Sequence, residues 1–283
     1  MGIARRLACL LLAALPLACS ESAQAPAADG PRVISLAPSI TRIVSALGAA
    51  DSLVAVDRYS LDVAELEGIA SVGGLYAPDL ERTVELRPTL VLAVETAQQR
   101  AFVGALLARG VRVESISPYT LEEHLASIAE IGGWVGREAR AREVVARIRR
   151  DLDAIAASAP ADPRNRTSVA MIVEREPLYV AGRGSFVHDL IEIAGGRNAF
   201  GDLSGPFPQI SLEALAERAP ALIIDATSPY PSGASIAEAR GFWRRFVPDT
   251  RVEMLPHADV ALPGVHLASS AATLKRLIAG DPS

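Results

Sequence analysis

Two cysteines are all that the 283 residues contain, Cys9 and Cys19. Cys9 lies inside an apolar N-terminal run that reads as an export signal, so the mature chain would hold no disulfide and must take its stability from a packed core. Cysteine metal clusters are excluded on the same ground. Positive charge is also short: 28 Lys and Arg stand against 33 Asp and Glu, a net charge of −5, which leaves no field to draw in nucleic acid or an anionic membrane surface. Beyond the N-terminus no apolar segment approaches the roughly 20 residues that span a bilayer. Missing too are a Gly-x-Ser-x-Gly elbow, a Walker phosphate loop, a Gly-x-Gly-x-x-Gly turn after a strand and a His-Glu-x-x-His pair. An exported enzyme stays open as a class, with no nucleophile or metal set to build it on.

What is present begins at the N-terminus. Arg5 and Arg6 precede the apolar run Leu7 to Leu17, the pattern of a signal peptide. Leu15-Pro16-Leu17-Ala18-Cys19 resembles a bacterial lipobox, with Pro16 where an aliphatic residue is usual. That implies a signal over 1–18, lipidation of Cys19 and a membrane anchor. The competing cut follows Ala25 in Ala23-Gln24-Ala25, next to Pro26, and would give a soluble exported form. Residues 19–31 are rich in Ala, Ser, Pro and Gly and read as a flexible tether.

From Arg32 strand-like and helix-like segments alternate. Val33–Leu36, Leu53–Val56, Leu90–Val94 and Val111–Ile116 read as strands, the third apolar on both faces. Helices are predicted from Ser39, as N-cap, to Gly48, over Leu80–Leu86 and over Gln98–Ala108. A long amphipathic helix follows over Glu138–Ala157, with Val144, Val145, Ile148, Leu152 and Ile155 on one stripe. A second set holds strands at Val169–Val173, Leu222–Ile224 and Val252–Leu255, and helices at Phe186–Ala194, Leu212–Arg218 and Leu267–Ile278. The alternation predicts an α/β fold with mainly parallel sheets. One internal repeat divides it: Asp79-Leu80-Glu81, Glu85, Pro88 and Leu90-Val91-Leu92 match Ser211-Leu212-Glu213, Glu217, Pro220 and Leu222-Ile223-Ile224 at a constant offset of 132 residues (81 to 213, 88 to 220). Such a pair also arises by chance in α/β chains. Taken as a repeat, it predicts two related lobes, residues 32–120 and 161–283, joined by a helical segment over 121–160 that carries the long helix.

The order and spacing of Arg32–Ser39, Val72-Gly73-Gly74, Asp79-Leu80-Glu81, Leu86–Leu92, Gly195–Phe200 and Pro206–Ser211 resemble the periplasmic binding proteins with a backbone helix, which serve importers of cobalamin, haem and ferric siderophores. The resemblance covers about Arg32 to Ile278. It implies a cleft between the lobes, small hinge motion, a corrinoid or iron chelate as cargo rather than a catalytic cofactor, and delivery to an ABC permease dimer by a monomeric, exported binding protein. The cobalamin receptors look nearest, through Pro206-Phe207-Pro208-Gln209-Ile210-Ser211. Tyr59 and Tyr179 fall where those receptors carry cleft aromatics. Phe207 replaces a tryptophan, and Leu75 and Val94 stand where other tryptophans would be.

Each candidate residue has a plainer reading beside it. Glu81 and Glu213 would dock into the two permease subunits, or simply favour the positive end of their own helix. Tyr59, Tyr179 and Phe207 would face a flat ligand, or pack in the core. Arg183 would reach a ligand carboxylate or phosphate, or stand in a solvated loop. Trp134 and Trp243 read as core. His124 and His188 lie on apparent helices and read as surface or core; His257, with Asp259 and His266, is the remaining metal candidate for a zinc-binding scaffold, short of the three or four convergent ligands zinc needs.

Overall fold

In the computed structural model, which describes residues 30–280 apart from 62, 64, 65, 67, 75, 76, 228–232 and 257–263, the alternating pattern resolves into two sheets. Cys19, the signal, the tether up to residue 29, Leu75, His257 and Asp259 lie outside the described residues. The first half of the chain supplies β1 (Val33–Ser35), β2 (Leu53–Val56), β3 (Ala70–Ser71), a small hairpin of β4 (Gly73–Gly74) and β5 (Ala77–Pro78), β6 (Leu90–Val94) and β7 (Val113–Ile116). Its main sheet runs β3-β2-β1-β6-β7, parallel throughout. Helices α1 (Pro38–Ala46), α2 (Leu80–Glu85) and α3 (Arg100–Leu107) connect the strands. The second half supplies β8 (Thr167–Arg175), β9 (Leu178–Val180), β10 (Gly196–Asn198), β11 (Leu222–Asp225) and β12 (Arg251–Met254). Here the order is β10-β8-β11-β12, parallel, with β9 folding back antiparallel on β8.

Between the sheets run α4 (Leu121–Trp134) and α5 (Glu138–Ala156); α6 (Phe186–Ile193), α7 (Leu212–Arg218), α8 (Gly233–Trp243) and α9 (Leu267–Ala279) belong to the second half. The segment over 121–160 thus holds two helices. Thr120 accepts from the Glu123 N–H, and the Glu123 side chain accepts from the Thr120 N–H, a capping box that starts α4. The expected cap of α1 is corrected. Ala37 holds the N-cap position and Pro38 opens the helix, because a ring-locked φ and a missing N–H suit the first turn. Ser39 is thereby freed from capping.

Alternate residues of each strand divide between two sides of its sheet. Val33, Leu90, Leu92, Val169, Met171, Leu222 and Ile224 all join one apolar cluster, together with Ile128 and Ile131 of α4, Val144, Ile148 and Leu152 of α5, Leu190 and Ile191 of α6, and Leu274 of α9. Ile34, Val91 and Ala93 face away into a second cluster, and Ala170, Ile172 and Ile223 into a third. The central cluster therefore passes without a break from one sheet, through the connecting helices, to the other.

The repeat is a repeat of backbone as well as of letters. Asp79 caps α2 by accepting from the Arg82 N–H at 3.0 Å, and Ser211 caps α7 by accepting from the Ala214 N–H at 3.2 Å. Among the described residues the non-glycine positions with positive φ are Arg87 (46°) and Ala219 (41°), one in each copy and again 132 residues apart. Left-handed backbone is disfavoured for such residues, so its recurrence at the same step marks the same turn from helix to buried strand. Those strands, β6 and β11, each pair with the first strand of their half.

Candidate functional site

In each sheet the first strand has its later neighbours on opposite sides: β1 lies between β2 and β6, β8 between β10 and β11. Ligands of open α/β sheets bind outside the carboxyl ends of the strands at such points. A cleft of about 620 Å³ lies there, lined from one half by Ser39, Val94, Glu95, Thr96, Ser117, Pro118 and Tyr119, from the connector by His124, and from the other half by Val173, Glu174, Glu176, Pro177, Tyr179, Phe186 and Phe207.

The aromatic wall is set by backbone bonding. Residues 206–210 run beside β9: Gly182 N–H donates to Pro206 O at 2.9 Å, Val180 N–H to Pro208 O at 3.2 Å and Ile210 N–H to Leu178 O at 3.0 Å. Gly182 permits the approach, since a Cβ there would stand 2.6 Å from the Gly205 oxygen. Tyr179 and Phe207 are brought to the same wall in this way. At the connector, Phe186 N–H donates to Tyr119 O at 2.5 Å and Leu121 N–H to Asp189 Oδ2 at 3.1 Å. These bonds join the starts of α4 and α6 and place Tyr119, His124 and Phe186 together. The His124 ring meets Phe186 edge to face, with centroids 4.4 Å apart.

Tyr179 and Phe207 both line this cleft. Tyr59 does not line it: the residue is 60% exposed, on the turn after β2, whose start is fixed by the Tyr59 N–H donating to Asp57 Oδ2 at 2.9 Å. Arg183 is also outside, exposed, with its Nε donating to Gly201 O at 2.8 Å. Glu81 and Glu213 are exposed on the first turns of α2 and α7, and neither helix lines the cleft. The Glu213 carboxyl is held below the usual range, first by its own backbone N–H and then by the Ser211 hydroxyl. Trp243 is fully buried and Trp134 half-buried against the central cluster, both core as expected. His188 contacts Asn198 Nδ2 at 3.2 Å, and His266 precedes α9.

Tyr119, His124 and Phe186 were not predicted as site residues. The capping box at Thr120 was the available signal, because it puts Tyr119 and His124 at a helix start facing a loop. A second hollow of about 560 Å³ adjoins the cleft through Glu174 and Glu176 and is otherwise lined by Arg175, Thr227, Glu238, Gly241, Phe242 and Arg245. Asp225, fully buried at the end of β11, organises it. It accepts from Arg175 Nε at 2.8 Å, Trp243 Nε1 at 2.7 Å and Thr227 Oγ1 at 2.7 Å. Across the first sheet a buried polar chain runs from Asp57 through Ser60 to Thr41 and Ser35. Burial pushes the Asp57 carboxyl above the usual carboxylate range, against the hydrogen bonds from Ser60 and the Tyr59 N–H.

Burial lowers the His124 imidazole to about 4. In the unfolded chain an imidazole binds its proton near pH 6.5. Between these values the unfolded state holds the extra proton, so stability falls as pH falls from about 6.5 toward 4, by on the order of 3 kcal/mol in full. Thermal midpoints should drop from pH 7 to pH 5 more steeply in the wild type than in His124→Phe, which cannot titrate. Parallel pH profiles would show that His124 is protonated as readily in the folded protein.

A family model described as periplasmic binding protein matches residues 33–240. The chain is similar to the vitamin B12-binding protein of Salmonella typhimurium (strain LT2), 30% identical over 196 residues that make up 69% of this chain and 72% of the relative. Among solved structures it is similar to a possible iron-binding, periplasmic solute-binding protein of Staphylococcus epidermidis, with TM-score 0.74 and 26% identity over 87% of this chain and 97% of the other. It is also similar to a periplasmic haem-binding protein of Pseudomonas aeruginosa, with TM-score 0.73 and 26% identity over 90% and 94%.

Proposed function

We propose, from the premise that this chain belongs to the periplasmic binding protein family, that it captures a metal chelate, a corrinoid first among them, and delivers it to an ABC permease dimer. The observation that carries the reading is the cleft between the halves, about 620 Å³ and walled by Tyr119, Tyr179, Phe186 and Phe207. Small-ligand sites run to roughly 300–1,000 Å³ and are mostly apolar with a few polar groups. Rigid aromatic faces suit a flat macrocycle. An export signal ending at Cys19 fits a protein that works outside the cytoplasm on a membrane tether. Tyr59 and Arg183 are not among the described residues that line the cleft.

Titration calorimetry against cobalamin, cobinamide, haem and ferric siderophores tests the reading. One chelate should bind tightly. Phe207→Ala and Tyr179→Ala should each weaken it by about 1–3 kcal/mol, the range for an aromatic anchor that packs on its ligand. A panel in which no chelate binds would remove this ligand class.

A further inference from the structure

The charge around the cleft is one-sided. Among the described residues its lining holds three acidic side chains, Glu95, Glu174 and Glu176, and no lysine or arginine. Glu95 follows β6 in one half; Glu174 and Glu176 belong to β8 and the turn after it in the other. All three are exposed, and none enters an ion pair among the described residues. Bases occur in adjoining hollows: Arg100 in one shared with Glu95, and Arg175 and Arg245 in one shared with Glu174 and Glu176. The second hollow adds Glu238, and its Arg175 is already matched by the buried Asp225. His124 is the independent sign that a ligand belongs here. It is 4% exposed, lines the cleft, and neither ring nitrogen makes a hydrogen bond among the described residues. Held neutral by burial, it offers a polar contact without adding positive charge.

The aromatic wall alone would accept haem, a corrinoid or a flat siderophore complex equally. The carboxylates would not. A ligand carboxylate, phosphate or catecholate brought against unpaired acidic groups in a partly desolvated cleft is repelled, while amide N–H groups or a cationic centre are received. We propose that Glu95, Glu174 and Glu176 are specificity determinants that restrict the cleft to chelates with a neutral or cationic periphery. This rests on the metal-chelate reading above and narrows it.

Haem and its diamide, with both propionates amidated, share one ring and differ in charge, so the pair isolates the effect; cyanocobalamin and cobinamide serve as further neutral and cationic probes. Haem should bind roughly ten- to hundredfold more weakly than the diamide at low salt. Raising the salt should narrow the gap by screening. The triple variant Glu95→Gln, Glu174→Gln, Glu176→Gln should close most of it by improving haem binding, and each single variant should close part. These side chains are exposed, so the variants should keep the wild-type melting temperature. Equal affinity of the wild type for haem and its diamide, or an unchanged ratio in the triple variant, would overturn the inference and leave the metal-chelate reading standing. No binding of any of the four probes to either protein would take both down.

Discussion

Replacing Asp225 with alanine is expected to lower the free energy of unfolding by about 3–5 kcal/mol, the usual loss when one partner of a buried ion pair is removed. The carboxylate is fully buried and receives Arg175, the Trp243 indole N–H and the Thr227 hydroxyl, all within 2.8 Å. Without it, a guanidinium only 21% exposed loses its paired carboxylate, and the indole N–H of a fully buried tryptophan has no acceptor. Asp225→Asn should lose less, since its amide oxygen can still accept from both Trp243 and Arg175, which share one carboxylate oxygen, but its NH₂ group would meet the Thr227 N–H donor. Urea denaturation reads both variants. The transition midpoint should fall and its slope should stay the same, because the same surface is exposed on unfolding. A loss below about 1 kcal/mol for the alanine variant would mean that water replaces the carboxylate and that the network is a surface feature.

The second large effect concerns delivery. Reversing both charges, Glu81→Arg with Glu213→Arg, should cut uptake by the cognate permease in vesicles roughly tenfold or more, while ligand titration stays unchanged. Both glutamates are exposed on the first turns of α2 and α7, equivalent helices of the repeat, and neither helix lines the cleft. A partner with two similar halves would meet one charge from each lobe. Stability should change little: the helix-dipole contribution is about 0.3–1 kcal/mol per charge, and the caps themselves come from Asp79 and Ser211. Normal uptake by the double variant would reduce the pair to helix-terminal charges.

The parts of the fold that were legible are those whose sequence pattern is local. Leu90–Val94 is buried on both faces and could be little else than a central strand; Leu212–Arg218 is bounded by Ser211 and Pro220 and matches the observed helix. The short strands escaped for the opposite reason. β10 is Gly196-Arg197-Asn198, whose only strand credential is its pairing with Thr167, Ser168 and Val169. The cleft was half legible. Tyr179 and Phe207 were reached through the resemblance, which puts cleft aromatics at their positions, but Tyr119, His124 and Phe186 become neighbours only when the starts of α4 and α6 are bonded together. Tyr59 and Arg183, side chains of suitable chemistry, lie on turns outside the lining of this cleft. Asp225 ends an apolar strand, a position where an unexplained acid signals either a network or a site, and it serves the first.

The unbroken apolar cluster through both sheets and the connecting helices has a thermodynamic consequence for recognition. Spreading the halves far apart would expose part of that cluster to water, at about 25 cal/mol for each Å² of apolar surface uncovered. Wide excursions are therefore rarely populated, and the receptacle is preorganised before any cargo arrives. Little conformational entropy is lost on capture, so affinity reflects how well a guest matches a fixed cavity rather than how well the protein wraps around it.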